Sequence, residues 1–229
     1  MEALFALFVV AFIALCFAAV PVLIVVGLRN AKKRRESIAA WARDREWEYR
    51  PSDHALVDRF QGAPFGRGSG RRATNVVLGR YLGRDFTAFD YHWTTGSGDD
   101  STSHGATVLA LHLGVHAPEL AVGPTTTLRR WVDGLTGRDI EIGDPAFDQA
   151  FTVHSSSPEF ARDVLLSEVR DVMRAFPTLS WRITGDSILA VRPGGAAIAL
   201  LEQQLQAMSD LLDRIPQHVW DRLRGETPR

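Results

Sequence analysis

The sequence predicts an α+β fold: an N-terminal transmembrane helix followed by a domain with an antiparallel sheet and helices packed mainly on one face. Three observations carry that expectation. Residues 4–28 contain no charged side chain and are followed at once by Arg29-Asn-Ala-Lys-Lys-Arg-Arg35. Residues 74–94 and 106–113 alternate apolar and polar side chains with a period of two. Residues 158–176 and 196–215 instead space their apolar side chains three and four apart.

The apolar run of 25 residues, rising about 1.5 Å each, spans roughly 37 Å, enough to cross a hydrocarbon core of about 30 Å with some tilt. Pro21 removes one backbone donor and bends the span, which membrane helices tolerate. A cleaved signal peptide would carry cations before a shorter apolar core. Here Met1, Glu2 and Ala3 precede the run and contribute an acid. Leu15 is too bulky for lipoprotein processing at Cys16, which reads as a small apolar side chain. The run is therefore expected to be a retained anchor in contact with the lipid bilayer.

The collar cations Arg29, Lys32, Lys33, Arg34 and Arg35 lie only on the C-terminal side of the run. The positive-inside rule then puts the N-terminus outside and everything after residue 30 in the cytoplasm, at the inner (plasma) membrane. The same cations would lie against anionic headgroups. Three segments follow: an anchor over 1–28, a basic collar and helical stalk over 29–46, and a cytoplasmic α+β domain over 47–229.

A formal net charge of −1 gives no support for nucleic-acid binding over a broad face. The one cysteine lies in the apolar run, so the domain is expected to have no disulfide and no thiolate metal site.

Along the domain, Ile38, Trp41, Ala42 and Arg45 form a helical stripe able to dock on it. Residues 47–49 read as a strand ended by Pro51, and Ser52 as the N-cap of a helix reaching Phe60. Residues 62–72 read as a glycine- and arginine-rich loop. Strands 74–82 and 85–94 flank a turn at Gly83-Arg84, and a polar hairpin tip over 95–105 leads into a strand over 106–113. Short strands are expected at 119–122, 139–142 and 150–154, and a helix at 126–135 that Gly137 stops. Ser157-Pro158 opens a long helix, with Phe160, Val164, Leu165, Val169, Val172, Met173 and Phe176 on its apolar face. A hairpin around Gly185-Asp186 and a helix from Ala196 to Pro216 complete the domain, with a further turn or two over 218–224. Residues 48–94 and 151–192 share the order strand, helix, strand, strand.

Several stretches resemble a family. Pro64-Phe-Gly-Arg-Gly68, Arg72-Ala-Thr-Asn-Val-Val77, Phe89-Asp-Tyr91, residues 147–153 and Ile215-Pro216 with Trp220 are similar to single-span membrane-anchored proteins from actinobacteria, a family of unknown function. The resemblance covers the whole chain. It implies one span and one domain, and it supplies no catalytic motif.

Two constellations invite chemistry. Asp90 and His92, two apart on a strand, share a face, and His112 lies on the strand expected to pair with theirs. Asp99, Asp100 and His104 are on the tip between them. Imidazole and carboxylate together suit a divalent metal or an acid/base couple. No His-Glu-x-x-His or Gly-x-Ser-x-Gly motif accompanies them, so a solvated sheet face is the plainer expectation. In the loop over 66–72, Arg67, Arg71 and Arg72 alternate with glycines and suit a phosphate or carboxylate. That loop follows a helix and enters a strand, the reverse of a P-loop. No dinucleotide fingerprint or other cofactor motif occurs. The expected function is a membrane-anchored cytoplasmic binding or interaction module with a protein partner or ligand, not an enzyme. A metal-dependent or acid/base hydrolase at Asp90, His92 and His112 is one alternative. A receptor for anionic lipid or phosphate groups at 66–72 is the other.

Overall fold

The computed structural model describes residues 22, 25–128, 135 and 137–225. The predicted anchor therefore lies, apart from Val22 and residues 25–28, outside the described residues. Among the described residues no helix is long and apolar enough to cross a membrane.

A helix, α1 (25–44), enters the domain and is followed by β1 (Glu48–Ser52). Next come β2 (Ser69–Tyr81), β3 (Arg84–Thr95), β4 (Thr102–His112) and β5 (Leu120–Pro124). Helix α2 (Thr125–Leu128), β6 (Arg138–Asp139), α3 (Pro145–Ala150) and β7 (Phe151–Ser155) follow. The chain closes with α4 (Pro158–Val164), α5 (Ser167–Ala175), β8 (Trp181–Thr184), β9 (Ser187–Pro193), α6 (Ile198–Arg214) and α7 (Gln217–Arg224). The nine strands form one sheet in the order β1-β2-β3-β4-β9-β8-β5-β7-β6, with antiparallel pairing throughout. The two segments of like order part company here, since β1 pairs with β2 whereas β7 pairs with β5 and β6.

Both faces of the sheet are covered. Phe86, Ala88, Leu109, Leu111 and Ile188 point toward α1, α4, α5, α6 and α7, and form one core with Ile38, Trp41, Ala42, Val164, Leu205 and Met208. The alternate residues Phe89, Tyr91, Val108, Ala110 and Leu189 form a second core beneath Phe60 and Phe65. The cover on this second side is an irregular segment, and the buried cation Arg182 fastens it. Its Nη1 donates to the Ala63 carbonyl at 2.6 Å, and its guanidinium lies 5.5 Å from the Phe65 ring centre. Burial lowers its pKa to about 10, against the pull of Glu119.

Several expected boundaries move, each for a local reason. β1 does not stop at Pro51, because Ser52 still pairs with Thr74 and proline is tolerated on an edge strand. The cap is consequently Asp53, not Ser52, and the expected helix to Phe60 shrinks to one 3-10 turn, His54–Leu56. The expected loop over 62–72 is strand from Ser69 onward, and the tip over 95–105 shortens because Thr95 pairs with Thr102. The long helix from Pro158 divides into α4 and α5 at Leu165-Leu166, where the freed Leu165 carbonyl accepts from Arg170 Nη1 at 2.8 Å. The expected helix over 126–135 falls largely outside the described residues.

The β2–β3 turn is Leu82-Gly83, one residue earlier than expected, since Tyr81 pairs with Arg84. Both turn residues have positive φ, 46° at Leu82 and 82° at Gly83. That is the primed geometry a two-residue hairpin prefers, with asparagine favoured where leucine stands. Leu82 is 58% exposed, so it has no packing to lose. Leu82→Asn should stabilise the domain by about 0.5–1 kcal/mol, because the short amide side chain can hydrogen-bond the local backbone and offset part of the roughly 1–2 kcal/mol that the left-handed region costs an L residue. Chemical denaturation of the full chain in neutral detergent checks this, and an unchanged midpoint would contradict it.

Candidate functional site

The site is built where α1 crosses the ends of β2, β3 and β4. Ile38, Trp41 and Ala42 seat α1 in the first core, and Trp41 Nε1 donates to Glu202 of α6 at 3.0 Å. Counting back four residues from Ile38 along the same stripe reaches Arg34. This side chain does not face the bilayer like a topology signal. Its Nε donates to Asp90 Oδ2 at 2.7 Å and its Nη2 to Asp90 Oδ1 at 2.5 Å, a two-pronged contact. Nη1 reaches the Ala196 carbonyl at 2.7 Å.

Asp90 is buried, and each of its oxygens has a further donor. The Thr107 hydroxyl donates to Oδ1 at 3.0 Å and Asn75 Nδ2 to Oδ2 at 2.9 Å. Asn75 reaches this position because β2 bulges between Thr74 and Val77, and Asn75 there adopts φ 51°. Its own Oδ1 accepts from the Tyr49 hydroxyl at 3.2 Å. A carboxylate has about four lone-pair positions, and Arg34, Thr107 and Asn75 together supply four N–H or O–H donors. Asp90 is thus a saturated anion beneath a helix and not a group on a wet sheet face. Gly195 lets the backbone come close to the fork: a β-carbon on it would make a tight contact, 3.2 Å from the Arg34 guanidinium carbon.

Above this network opens a cleft of about 420 Å³, within the range of small-molecule sites. Its walls include Arg34 and Arg35 from α1, Arg72 from β2 and His92 from β3, with Gly105 beside His92 and Gly194 also lining it. Arg34 and Asp90 neutralise each other. Arg35 and Arg72 form no ion pair or hydrogen bond among the described residues. The Arg35 field reaches Tyr49, whose pKa is raised by burial first and pulled back by Arg35. His92 is held below its ordinary pKa by burial, then by Arg72 and Arg34, against the opposing pull of Asp90. The cleft therefore presents two guanidiniums unpaired among the described residues, beside the His92 imidazole.

The residues singled out in the sequence separate in space. Asp90 and His92 do share a face. His112 stands on the other one: residues of β4 alternate, and Thr107 and Gly105 are the partners opposite Asp90 and His92. His112 sits at the far end of β4, 3.5 Å from the Ser187 hydroxyl. His104 stacks on Trp93 at 5.1 Å. Among the described residues no three His, Cys, Asp or Glu side chains converge to hold a metal ion. The arginines of 66–72 also diverge, because Arg71 and Arg72 are neighbours on a strand and point to opposite faces. Arg71 pairs with Asp58 at 2.8 Å, and of the expected trio Arg72 lines the cleft. Of the collar, Lys32 pairs with Glu36 at 3.8 Å on the surface, while Arg34 and Arg35 turn to the cleft. Sequence reasoning missed Arg34, Asn75 and Thr107 as partners of Asp90. The available signal was a cation in phase with the inward stripe of α1.

No protein-family model matches the chain, and no curated protein matches it. Its fold is similar to that in the crystal structure of the mycobacterial trehalose monomycolate transport factor A, TtfA, with a TM-score of 0.58. The identity is 18%, and the alignment covers 86% of this chain and 97% of that chain. The likeness is one of fold, and its mycobacterial source agrees with an actinobacterial family.

Removing one member of the pair should cost far more than removing an exposed ion pair. Arg34→Ala strands the Asp90 carboxylate, whose side chain is 6% exposed, and should cost about 3–5 kcal/mol. Arg34→Lys keeps the charge but loses the fork, so it should recover only part of that. Arg80→Ala, on the exposed Arg80–Asp85 pair, should stay within about 0.5 kcal/mol. Urea unfolding of the full chain in neutral detergent measures all three.

His92 gives a pH signature. With its folded pKa below the unfolded one, the unfolded chain binds the extra proton as pH falls. The stability contribution is thus complete above the ordinary histidine range and lost as pH drops through it. His92→Gln should flatten the fall in melting temperature between about pH 7.5 and about pH 5.5. Parallel slopes for the two proteins would contradict the assignment.

Proposed function

We propose that this protein is a single-span, membrane-anchored binding module, non-catalytic, whose domain works on the cytoplasmic side with its basic cleft held close to the bilayer. The observation that carries this reading is the clasp of Arg34 on Asp90. It makes the helix leaving the anchor and the central sheet one body, so the cleft cannot swing far from the membrane. At the outer end of that helix Val22, Val25, Val26 and Leu28 are 61, 45, 47 and 67% exposed. Four exposed apolar side chains gathered at one end of a helix suit a lipid surrounding.

Binding is favoured over hydrolysis by the state of Asp90. All of its acceptor positions are taken, and its nearest imidazole, His92, shares the cleft with cations and not with a second acid. The fold is also similar to that of a transport factor, which accords with a binding role.

Cell fractionation with a reporter fused after Arg229 tests the reading. The full chain should remain in the membrane pellet through an alkaline wash, with a cytoplasm-active reporter working. Neutralising Lys32, Lys33 and Arg35 should scramble that orientation. Activity of a reporter that works only outside the cytoplasm, or release by the wash, would overturn it.

A further inference from the structure

We propose that the cleft between α1 and the sheet binds a phosphate group, and that this phosphate is carried by a lipid head group. The proposal rests on the membrane-anchored reading for its source of ligand, and on the cleft itself for its chemistry.

The charge balance comes first. Among the described residues Asp90 is the one acid lining the cleft, and Arg34 cancels it through two short contacts. Arg35 and Arg72 then remain as cations brought together from different elements, a helix and a strand 37 residues apart in sequence. Both are exposed to solvent and neither is paired among the described residues, so both are open to an anion that enters the cleft. Guanidinium forks match the oxygens of a phosphate, and the His92 ring adds a further N–H.

The shape agrees. Gly105 stands beside His92, where a β-carbon would come to 3.4 Å from Nδ1, so the imidazole edge stays uncovered. Gly194 and Gly195 keep the opposite rim free of side chains. A volume of about 420 Å³ exceeds what a bare phosphate fills and leaves room for its esterified glycerol or sugar. Position selects the source. Ala31 lines the cleft, and the three residues from Ala31 back to Leu28 rise only about 5 Å along α1 before the apolar run begins. A phosphate in the cleft is at head-group depth.

The experiment is thermal unfolding of the full chain in neutral maltoside micelles at fixed ionic strength. Three probes are titrated: inorganic phosphate, a short-chain phosphatidic acid, and the matching diacylglycerol. Phosphatidic acid should raise the melting temperature with a saturable dependence, since a ligand bound by the folded state stabilises it. Diacylglycerol should not. Arg72→Gln and Arg35→Gln should each weaken the response about tenfold, as loss of one charge-assisted contact implies. Lys32→Gln with Lys33→Gln should leave it intact, which separates the cleft from general attraction to the collar. A labelled His92 ring should titrate at higher pH when the lipid is bound, an effect independent of how stable each variant is. A response to inorganic phosphate equal to that of the lipid would overturn the head-group source and leave a soluble phosphate ester as ligand. No response to either probe, or loss that follows the collar lysines instead of Arg72, would overturn the site. Neither result touches the fractionation test of anchoring.

Discussion

The structure depends on how one buried carboxylate finds its hydrogen-bond donors. Asp90 lies in the middle strand of the three longest, under a helix, where an isolated charge would cost several kcal/mol. Four donors remove that cost: two from Arg34, one each from Thr107 and Asn75. Each donor in turn imposes a demand on the fold. Asn75 needs a bulge in β2, Thr107 needs β4 in register with β3, and Arg34 needs α1 at one height and one rotation on the sheet. The Thr107 oxygen also accepts from the Ala196 backbone, and Arg34 donates to the Ala196 carbonyl, so the entry to α6 is tied to the same point. A charged pair of this kind adds little net stability compared with apolar residues of equal size. Its effect here is on specificity, since the fork has to meet Asp90 while Ile38, Trp41 and Ala42 face the core.

That constraint explains why the helix behind the predicted anchor belongs to the domain and is not a loose stalk. Ile38, Trp41 and Ala42 bury one stripe of α1 and so choose the face that meets the sheet. The Arg34 fork, on the same stripe, adds directional contacts to it. Once both act, the remaining cations of the collar are divided. Lys32 stays on the surface with Glu36, whereas Arg35 is delivered to the cleft beside Arg72 and His92. The second face obeys the same logic with fewer partners. Arg182, buried with its cation on the Ala63 carbonyl, holds an irregular segment against Phe89 and Tyr91 in place of a helix.

Strand alternation was legible from residues alone. Phe86, Ala88, Asp90 and His92 do share one face, and Phe89 and Tyr91 the other. The inference of a solvated face failed because its cover carries weak sequence signals. On one side the cover is the helix continuing from the anchor, whose short stripe runs through a basic collar. On the other it is a non-helical segment with only Phe60 and Phe65 as large anchors. Periodicity reports which side chains travel together, and says nothing of what descends on them. The split of α4 from α5 was invisible for a related reason: the apolar spacing continues through Leu165-Leu166, and both halves remain buried on the same core.

By itself the sequence determined most of the strands and the last long helix, the antiparallel α+β class, the apolar run with its cationic collar, and which residues of each strand go together. These are properties of neighbours along the chain, set by a period of two or of 3.6 and by local turn chemistry. Only the tertiary structure decided which charged groups meet. Arg34 and Asp90 are 56 positions apart, and Arg35 and Arg72 converge though no spacing rule relates them. His112 is parted from His92 by the parity of its place on β4, and Arg71 from Arg72 by the same alternation. Pairing across a sheet and docking of a helix depend on register, and register is settled when the whole core closes, not by any stretch read alone.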